Sequence, residues 1–323
     1  MKYFDNTRIA TYKKCPRKFY FRHRRHFTTS GVSAALAFGS SWHEGMDVIW
    51  SLYTKDNTEP DPRHAVTLAH MAFVEKWQEE GMPDHNDMTA MSSLGARTPG
   101  NAMEMLWNYI EQRKTFMSQC TLIACERPFA VPIYPDNTEI FYIGRLDKVV
   151  RYEDRILCIE HKTTSMYSKD YGIRQLYLDT YSPNAQIDGY LHAIHTLYGQ
   201  DAKAVWVDIA LVHKQNHDVF KFLPIEKQFT MIDVWLDETQ QWIERIMKDD
   251  WALSKESPDA SIMHAFPKND AACFDFGSMC IYRDLCAYCP NPIGIECPQN
   301  FIEKKWEPFS VLKLEKIGLS REE

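Results

Sequence analysis

The residues best suited to chemistry lie on two short segments in the middle of the chain. Asp147 lies on the first, and Glu160 and Lys162 directly follow the apolar run 155–159 on the second. The polar turn around 153–154 permits a hairpin that sets the two segments side by side as strands. Because strand side chains alternate between faces, Glu160 and Lys162 project to the same side. If the register places Asp147 opposite them, two carboxylates and one ammonium share a pocket.

Such a pocket suits a divalent metal. Carboxylates are hard oxygen ligands for Mg²⁺ or Mn²⁺, which also bind phosphate oxygens and water. A bound metal polarises a phosphodiester and lowers the pKa of an attacking water, and Lys162 beside it would orient that water or offset charge on phosphorus. A surface hairpin with an ordinary cross-strand ion pair is the alternative, because Glu-x-Lys is a common pattern. The apolar strand leading into Glu160 favours the buried pocket.

Three further polar residues belong with this pair of strands. Gln186 and Tyr190 are four residues apart, so they lie on one face of a predicted helix. His43 lies upstream, in an apolar segment. A lone histidine such as His43 in an apolar segment is more often a hydrogen-bonded core residue than a ligand, and Tyr190 alone could simply pack the helix against the sheet.

The nine cysteines indicate a second kind of site. Those at 120, 125 and 158 are isolated in apolar surroundings and are typical of small core residues. Cys15 near the start, with Cys273, Cys280 and Cys286 near the end, forms a set of four that suits an iron–sulfur cluster or structural zinc. An alternative zinc set is Cys280, Cys286, Cys289 and Cys297, and a third possibility is that no metal binds.

The pattern of apolar residues predicts a mixed α/β core in a single domain. It comprises a helical N-terminal region over 1–120, an α/β core over 121–253 and an irregular cysteine-rich tail over 254–323. The predicted helices are 6–26 with a break at Cys15-Pro16, the segment around Trp42 to Trp50, 64–80, 101–118, 184–198 and 229–250. The predicted strands are 121–133, 139–151, 155–161, 204–213 and 218–225, and 82–100 is predicted to be a loop.

Composition places limits on the class of protein. The net charge of −7 argues against a protein that coats nucleic acid by bulk attraction. One segment, 12–25, interleaves cations with aromatic residues and would suit phosphates and bases, or else form a solvated helix face over a buried aromatic side. No apolar run approaches the ~20 residues of a membrane span, and the N-terminus lacks the pattern of a signal peptide. We therefore expect a cytoplasmic protein with no membrane contact.

The candidate site residues, in their order along the chain, resemble the motifs of the RecB-like branch of the PD-(D/E)XK nuclease superfamily. This branch includes the AddB nuclease and the CRISPR-associated RecB-like exonucleases. The resemblance runs from about residue 7 to 286, and it implies the restriction-endonuclease-like fold, a mixed sheet flanked by helices. The matching residues are His43, Asp147, Glu160-x-Lys162 and Gln186-x-x-x-Tyr190. Leu146 stands where many relatives have a proline.

The resemblance also implies a role for each matching residue. Metal ligation falls to His43, Asp147, Glu160 and the main-chain carbonyl of His161. Lys162 positions the nucleophile. Gln186 and Tyr190 hold the substrate strand or brace the site.

For the cysteines, the resemblance favours a [4Fe-4S] cluster on one N-terminal and three C-terminal ligands. The motif around Cys15, Lys14-Cys15-Pro16-Arg17, matches the N-terminal element of the family. The gap between Cys273 and Cys280 differs from the tighter spacing of some relatives. Such a cluster would lock the two ends of the chain onto the core.

The function that follows is a Mg²⁺- or Mn²⁺-dependent deoxyribonuclease, an exonuclease on single-stranded DNA or duplex ends in recombination, repair, phage or CRISPR processing. Helicase, recombinase or CRISPR adaptation proteins are the partners it implies. No Walker A motif is present, so we expect any motor to be a separate chain. Two alternatives are a nucleic-acid-binding iron–sulfur subunit with little cleavage of its own and a redox-regulated protein with structural carboxylates.

Overall fold

The structure is a computed structural model of the chain. The residues it describes are 1–54, 60–275, 277–308, 312 and 314. The backbone forms two compact units, each built from separate parts of the chain. The first unit comprises Met1–Ser30, Ala130–Gly144 and Asp233–Glu323, and the second comprises Gly31–Phe129 and Arg145–Ile232.

Helices and strands alternate in the order expected of a mixed fold. The helices are α1 (Asn6–Lys14), α2 (Pro16–Phe19), α3 (Ala34–Tyr53), α4 (Pro62–Glu79), α5 (Met88–Ser93), α6 (Pro99–Ser118), α7 (Gln175–Asp179), α8 (Ala185–Tyr198), α9 (Phe229–Leu253) and α10 (Arg283–Tyr288). The strands are β1 (Lys2–Phe4), β2 (Phe27–Thr28), β3 (Cys120–Tyr134), β4 (Asn137–Tyr152), β5 (Arg155–Thr164), β6 (Tyr167–Ser168), β7 (Gly172–Ile173), β8 (Ala202–Leu211), β9 (Phe220–Glu226), β10 (Phe274–Asp275), β11 (Ser278–Met279) and β12 (Ile302–Glu303).

The sheet of the second unit is mixed, as the sequence predicts. Its strands follow the order β4-β5-β8-β9. β4 and β5 form the predicted antiparallel hairpin, with Tyr152 opposite Arg155 and Lys148 opposite Ile159. The crossover through α7 and α8 makes β8 parallel to β5, and β9 returns antiparallel to β8. This confirms the mixed α/β fold class with flanking helices.

A helical layer in the second unit buries large aromatic residues. α3 packs against α4, α6 packs against both, and α3 also contacts β5. Trp42 and Trp50 of α3 are fully buried in this core, together with Phe73 and Trp77 of α4. Gly45 permits a close approach of α3 and α4, because a Cβ there would meet the Ala69 carbonyl oxygen at 3.3 Å. The position of α3 is therefore set by packing.

Side-chain caps fix where the helices of the second unit that carry polar residues begin. The Ser33 side chain accepts a hydrogen bond from the Leu36 amide at the start of α3. Asn184 accepts from the amides of Gln186 and Ile187 at the start of α8. Each cap satisfies amides that have no carbonyl partner within the helix.

The first unit begins with β1, which pairs parallel to β4 from Lys2 opposite Ile140 to Phe4 opposite Tyr142. α1 ends at Lys14, and α2 begins at Pro16, so the predicted break at Cys15-Pro16 is correct. Proline suits the first position of a helix, because its missing N–H is not needed there.

Much of the cationic segment 12–25 takes part in the fold of this unit. Arg17 donates to the carbonyl oxygen of Phe266, and Arg25 donates to that of Pro292. Arg24 forms a two-pronged ion pair with Asp250 at 2.5 and 2.6 Å. These arginines therefore form hydrogen bonds and ion pairs within the fold. The sequence does not reveal this alternative to solvated cations.

The structure contains elements that the sequence does not predict, among them β1, β2, β6, β7 and α7. The predicted loop 82–100 contains α5, which the Asp87 carboxylate caps by accepting from the amides of Thr89 and Ala90. The irregular tail contains several short elements, among them a 3-10 helix at Asp270–Ala272 and β10, β11, α10 and β12. Beyond residue 308, only residues 312 and 314 of the predicted tail lie within the described part of the chain. In the described residues, no helix combines the length and the apolar character that crossing a membrane requires.

The close contact at Gly45 gives a test of the packing that positions α3. Replacement of Gly45 by valine should lower the free energy of unfolding by about 1–3 kcal/mol, because the added methyl groups meet the α4 backbone. Chemical denaturation measures this. The control is Gly100→Val, since a Cβ at Gly100 meets only the Thr98 hydroxyl at 4.0 Å. Equal losses in both variants would contradict the packing argument.

Candidate active site

The β4–β5 hairpin brings the two predicted carboxylates together. Lys148 pairs with Ile159, so the preceding residue, Asp147, lies opposite Glu160. The main-chain N–H of His161 donates to Asp147 Oδ2 at 2.8 Å. Both carboxylates are almost fully buried, with Asp147 6% and Glu160 1% exposed. The predicted pocket is therefore present, and it is an interior one.

His43 reaches this pocket from α3. Its Nδ1 lies 3.2 Å from Asp147 Oδ2, in ion-pair distance. Asp47, one turn further along the same helix, forms an ion pair with Lys148, which is fully buried. Two successive residues of β4 are thus bound to two residues on one face of α3. This double attachment holds His43 against Asp147.

Lys162, Gln186 and Tyr190 are grouped around Glu160. The Lys162 ammonium forms an ion pair with Glu160 Oε1. Gln186 Nε2 donates to the same oxygen at 3.2 Å and to the Tyr190 hydroxyl at 3.0 Å. The structure therefore brings together all the polar side chains that the sequence assigns to the site, with the ring of His161 as the exception.

Glu126 is a residue of this site that the sequence analysis missed. Glu126 lies on β3 with φ +50°, a left-handed conformation that is uncommon for residues other than glycine. One of its carboxylate oxygens, a His43 ring nitrogen and an Asp147 oxygen all lie within 4.8 Å of one another. Arg145 Nε contacts Glu126 Oε2 at 2.5 Å. The only signal in the sequence is an acidic residue inside a strand, which is too common to identify a site.

Burial and mutual repulsion shift the ionisation of the carboxyl groups. Burial and the Asp147 charge raise the pKa of Glu160 to about 7. Burial likewise raises the pKa of Glu126 to about 7, against the opposing effect of Arg145. Burial also disfavours ionisation of Asp147, but the charge and hydrogen bond of His43 hold its pKa well below the ordinary value. Three acidic groups thus share a region of low dielectric in which full ionisation is costly without added positive charge.

Lys162 keeps its charge in the same region. Burial favours the neutral amine, but the carboxylates of Glu160 and Asp147 outweigh it and raise the pKa of Lys162 above its usual value. The side chain is therefore an ammonium near neutral pH. It donates protons in hydrogen bonds and does not accept one.

The donor set fits a divalent cation. Carboxylate oxygens with one imidazole are ligands that Mg²⁺ or Mn²⁺ accepts. Two carboxylate oxygens, Glu160 Oε2 and Glu126 Oε1, are buried and have no hydrogen-bond partner among the described residues. A buried acceptor without a donor is expensive, and a bound cation would offset that cost.

The His161 ring lies in a different environment from its main chain. It is fully buried near the rings of Trp50 and Tyr109, and its Nδ1 is 3.8 Å from Asp208 Oδ2. Asp208 accepts hydrogen bonds from the Tyr109 hydroxyl at 2.7 Å and from Arg113 at 3.1 Å. This polar network supports β5 and β8 in register behind the carboxylates.

The four cysteines of the predicted cluster lie around one cavity in the first unit. The cavity has a volume of ≈ 60 Å³ and is lined by Cys15, Cys273, Cys280 and Cys286 together with Lys18, Lys268 and Arg283. Cys289 and Cys297 do not line it. Their sulfurs contact the carbonyl oxygens of Asn291 and Pro298. The structure thus groups one of the two predicted sets and separates the other.

The mixed sheet and the acidic pocket with its lysine are those of a nuclease. The sequence model of the PD-(D/E)XK nuclease superfamily matches residues 6–287, and the chain belongs to this superfamily. Its members depend on divalent metal. A crystal structure titled "Putative exonuclease" from Eubacterium rectale is similar with 13% identity and a TM-score of 0.45, over 76% of this chain and 80% of that one. No curated protein matches the sequence.

The polar network behind the site gives a second test. Tyr109→Phe removes the hydroxyl that donates to Asp208 and accepts from Trp50 Nε1 at 2.9 Å. We expect the free energy of unfolding to fall by roughly 1–3 kcal/mol, because a buried carboxylate and an indole N–H each lose a partner. The control is Tyr152→Phe, a half-buried tyrosine whose ring packs against Phe116 and Trp206. A Tyr109→Phe protein as stable as the control would show that the network does not support the sheet.

Proposed function

We propose that this protein is a divalent-metal-dependent deoxyribonuclease of the RecB-like branch, an exonuclease acting on single-stranded DNA or duplex ends. The observation that carries the proposal is the convergence of His43, Glu126 and Asp147 within 4.8 Å beside the Glu160–Lys162 ion pair. Hard acidic ligands next to a protonated lysine are what hydrolysis of a phosphodiester needs. The resemblance to RecB-like exonucleases supports DNA as the substrate and its ends as the point of attack.

In this proposal the metal ligands are His43, Asp147, Glu160 and the main-chain carbonyl of His161, with Glu126 as an additional ligand. Two observations support Glu126. It shares the group of donor atoms with His43 and Asp147, and its buried Oε1 has no hydrogen-bond donor among the residues that the structure describes. When bound, a divalent cation polarises the phosphodiester and makes water more acidic.

Lys162 then has two tasks that follow from its charge. Water attacks phosphorus and its oxygen forms the new bond, while the bond to the leaving sugar oxygen breaks and that oxygen takes up a proton from solvent. The ammonium orients that water and offsets the negative charge that builds on the phosphoryl oxygens. The proton of the attacking water leaves to solvent, since a protonated lysine does not take it. Glu160 keeps the ammonium in place.

Gln186 and Tyr190 act as positioning residues. Gln186 donates one N–H to Glu160 Oε1 and the other to the Tyr190 hydroxyl. Because the Asn184 cap fixes the start of α8, the helix presents Gln186 to Glu160 in a defined orientation. Loss of such an outer contact typically costs 10–100-fold in metal affinity or activity, and we expect Gln186→Leu to fall in the range of about 10–100-fold.

Three substitutions test the catalytic proposal. Asp147→Asn, Glu160→Gln and Lys162→Ala should each lower the rate of DNA degradation by roughly 10³-fold or more, because each removes charge that acts on the phosphodiester. The measurement is release of nucleotides from end-labelled single-stranded and duplex DNA with Mn²⁺ or Mg²⁺. EDTA should stop the reaction, and circular single-stranded DNA should stay intact.

The control variant is Asp188→Asn, which removes a buried carboxylate of α8 that pairs with Lys227 outside the site. It should keep activity close to that of the unaltered protein. Full activity in EDTA, or in all three site variants, would contradict the nuclease proposal. Cleavage of the circle would contradict only the exonuclease part, and equal digestion of RNA would contradict the preference for DNA.

We further propose that Cys15, Cys273, Cys280 and Cys286 bind a [4Fe-4S] cluster. Support comes from the single cavity that these four line and from the family resemblance. A tetrahedral zinc with Zn–S bonds of about 2.3 Å needs sulfurs about 3.8 Å apart. Among the described residues, no three cysteine sulfurs lie within 4.8 Å of one another. That wider spacing favours a cluster over a single zinc ion.

Serine substitutions separate the two cysteine sets. In protein purified without oxygen, Cys15→Ser or Cys286→Ser should lose most of the iron, the labile sulfide and the visible absorbance, because a thiolate ligand is removed. Cys289→Ser and Cys297→Ser should keep them. Iron loss in the second pair alone, or stoichiometric zinc without iron in the unaltered protein, would contradict this assignment.

A further inference from the structure

Arg17 is a buried cation next to the cysteine cavity. It lies on α2, two residues after Cys15, and is 3% exposed. No carboxylate among the described residues forms an ion pair with its guanidinium, and the Glu256 carboxylate acts on it only at longer range. Arginine keeps its charge in proteins, and a buried charge without a counter-charge is strongly unfavourable.

Main-chain carbonyls hold the guanidinium in one orientation. Its Nε donates to the Phe266 oxygen at 2.9 Å and its Nη2 donates to the Met263 oxygen at 3.4 Å. The third nitrogen, Nη1, is buried and has no hydrogen-bond partner in the part of the chain that the structure describes. Two edges of the planar group are therefore satisfied, and one N–H group is presented without an acceptor.

Two of the predicted cluster ligands interact electrostatically with Arg17. The charge of Arg17 acts on the thiols of both Cys286 and Cys15. The cavity between these cysteines is also lined by Lys18 and Lys268, and Asp270 is its one acidic lining residue. Neutral thiols offer weak acceptors and no counter-charge. Thiolates that ligate an iron–sulfur cluster offer both.

We propose that Arg17 is the counter-ion of the cluster, donating from Nη1 to the sulfur of Cys286 and raising the reduction potential of the cluster. The proposal rests on the iron–sulfur part of the proposed function. A cluster with four thiolate ligands is anionic and gains a further negative charge on one-electron reduction, so a nearby fixed cation favours the reduced form. Net charge and hydrogen bonds to the sulfurs are established determinants of cluster potential.

The test compares Arg17→Gln with Arg17→Lys and with Arg25→Gln. Arg25 is a matched control, because it also binds main-chain carbonyls, those of Pro292 and Ile295, but is not among the charges that act on Cys286. Each full-length protein is purified without oxygen and titrated with dithionite, and the reduced cluster is followed by electron paramagnetic resonance. Iron and labile sulfide are counted in the same samples.

Arg17→Gln should make the cluster at least tenfold harder to reduce, which corresponds to a potential about 59 mV lower for a one-electron couple. Arg17→Lys should shift the potential less, because it keeps the charge. Arg25→Gln should have the potential of the unaltered protein. Equal potentials in Arg17→Gln and Arg25→Gln would overturn the proposal, since Arg17 would then serve only to bind main-chain carbonyls. Absence of a cluster from the unaltered protein would instead overturn the iron–sulfur assignment.

A second readout detects the arginine beside the cluster directly and does not depend on a shift in potential. Arg283 lines the cavity and would contribute an arginine signal of its own, so it is replaced by glutamine. The Arg283→Gln protein is labelled with ¹⁵N-arginine and its cluster is reduced. Pulsed electron paramagnetic resonance should then detect magnetic coupling between the cluster and a guanidinium ¹⁵N. Loss of this coupling in Arg17→Lys would assign it to Arg17. A reduced cluster with no arginine ¹⁵N coupling would overturn the proposal.

Discussion

The arrangement of the second unit depends on one unfavourable contact, the burial of Asp147 and Glu160 opposite each other on the β4–β5 hairpin. Two ionised carboxylates in a low-dielectric interior repel, and each loses its hydration. The neighbouring residues offset this cost. The His161 amide and the His43 ring stabilise Asp147, whereas Lys162 and Gln186 stabilise Glu160. Among the described residues, the buried oxygens Glu160 Oε2 and Glu126 Oε1 keep no hydrogen-bond partner, and we propose that a divalent cation compensates them.

The helices that supply these partners are fixed by packing and capping away from the site. α3 packs closely against α4 at Gly45, and the Asp47–Lys148 ion pair binds it to β4. His43 therefore cannot shift without disturbing the aromatic core. α8 begins at its Asn184 cap, which places Gln186 within reach of Glu160. Rigid elements of this kind position catalytic groups more precisely than loops do. In the first unit, where the cysteine cavity lies, Arg17 and Arg25 bind main-chain carbonyls in a similar way.

Much of this site could be predicted from the sequence, because its residues lie on elements with strong local signals. A short polar turn between apolar strands predicts the hairpin, and alternation then places Glu160 and Lys162 on one face. The i, i+4 spacing of Gln186 and Tyr190 does the same on a helix. Glu126 could not be predicted, because it reaches the site through an unusual left-handed backbone on β3. The internal hydrogen bonds of Arg17 and Arg25 could not be predicted either, because their partners are carbonyls more than 200 residues away. Cations near aromatic residues also look the same in sequence whether they are solvated or buried.

The central claim is that the buried carboxylates exist to bind a divalent metal. Anomalous X-ray scattering from a crystal soaked in Mn²⁺ tests it most directly, because the ion is located without reference to activity. The account predicts one strong peak at coordination distance from carboxylate oxygens of both Asp147 and Glu160, about 2.0–2.6 Å for hard cations. The same crystal of the Asp147→Asn protein should lose it. A soaked crystal with Mn²⁺ only at the protein surface, and none between these two carboxylates, would contradict the account.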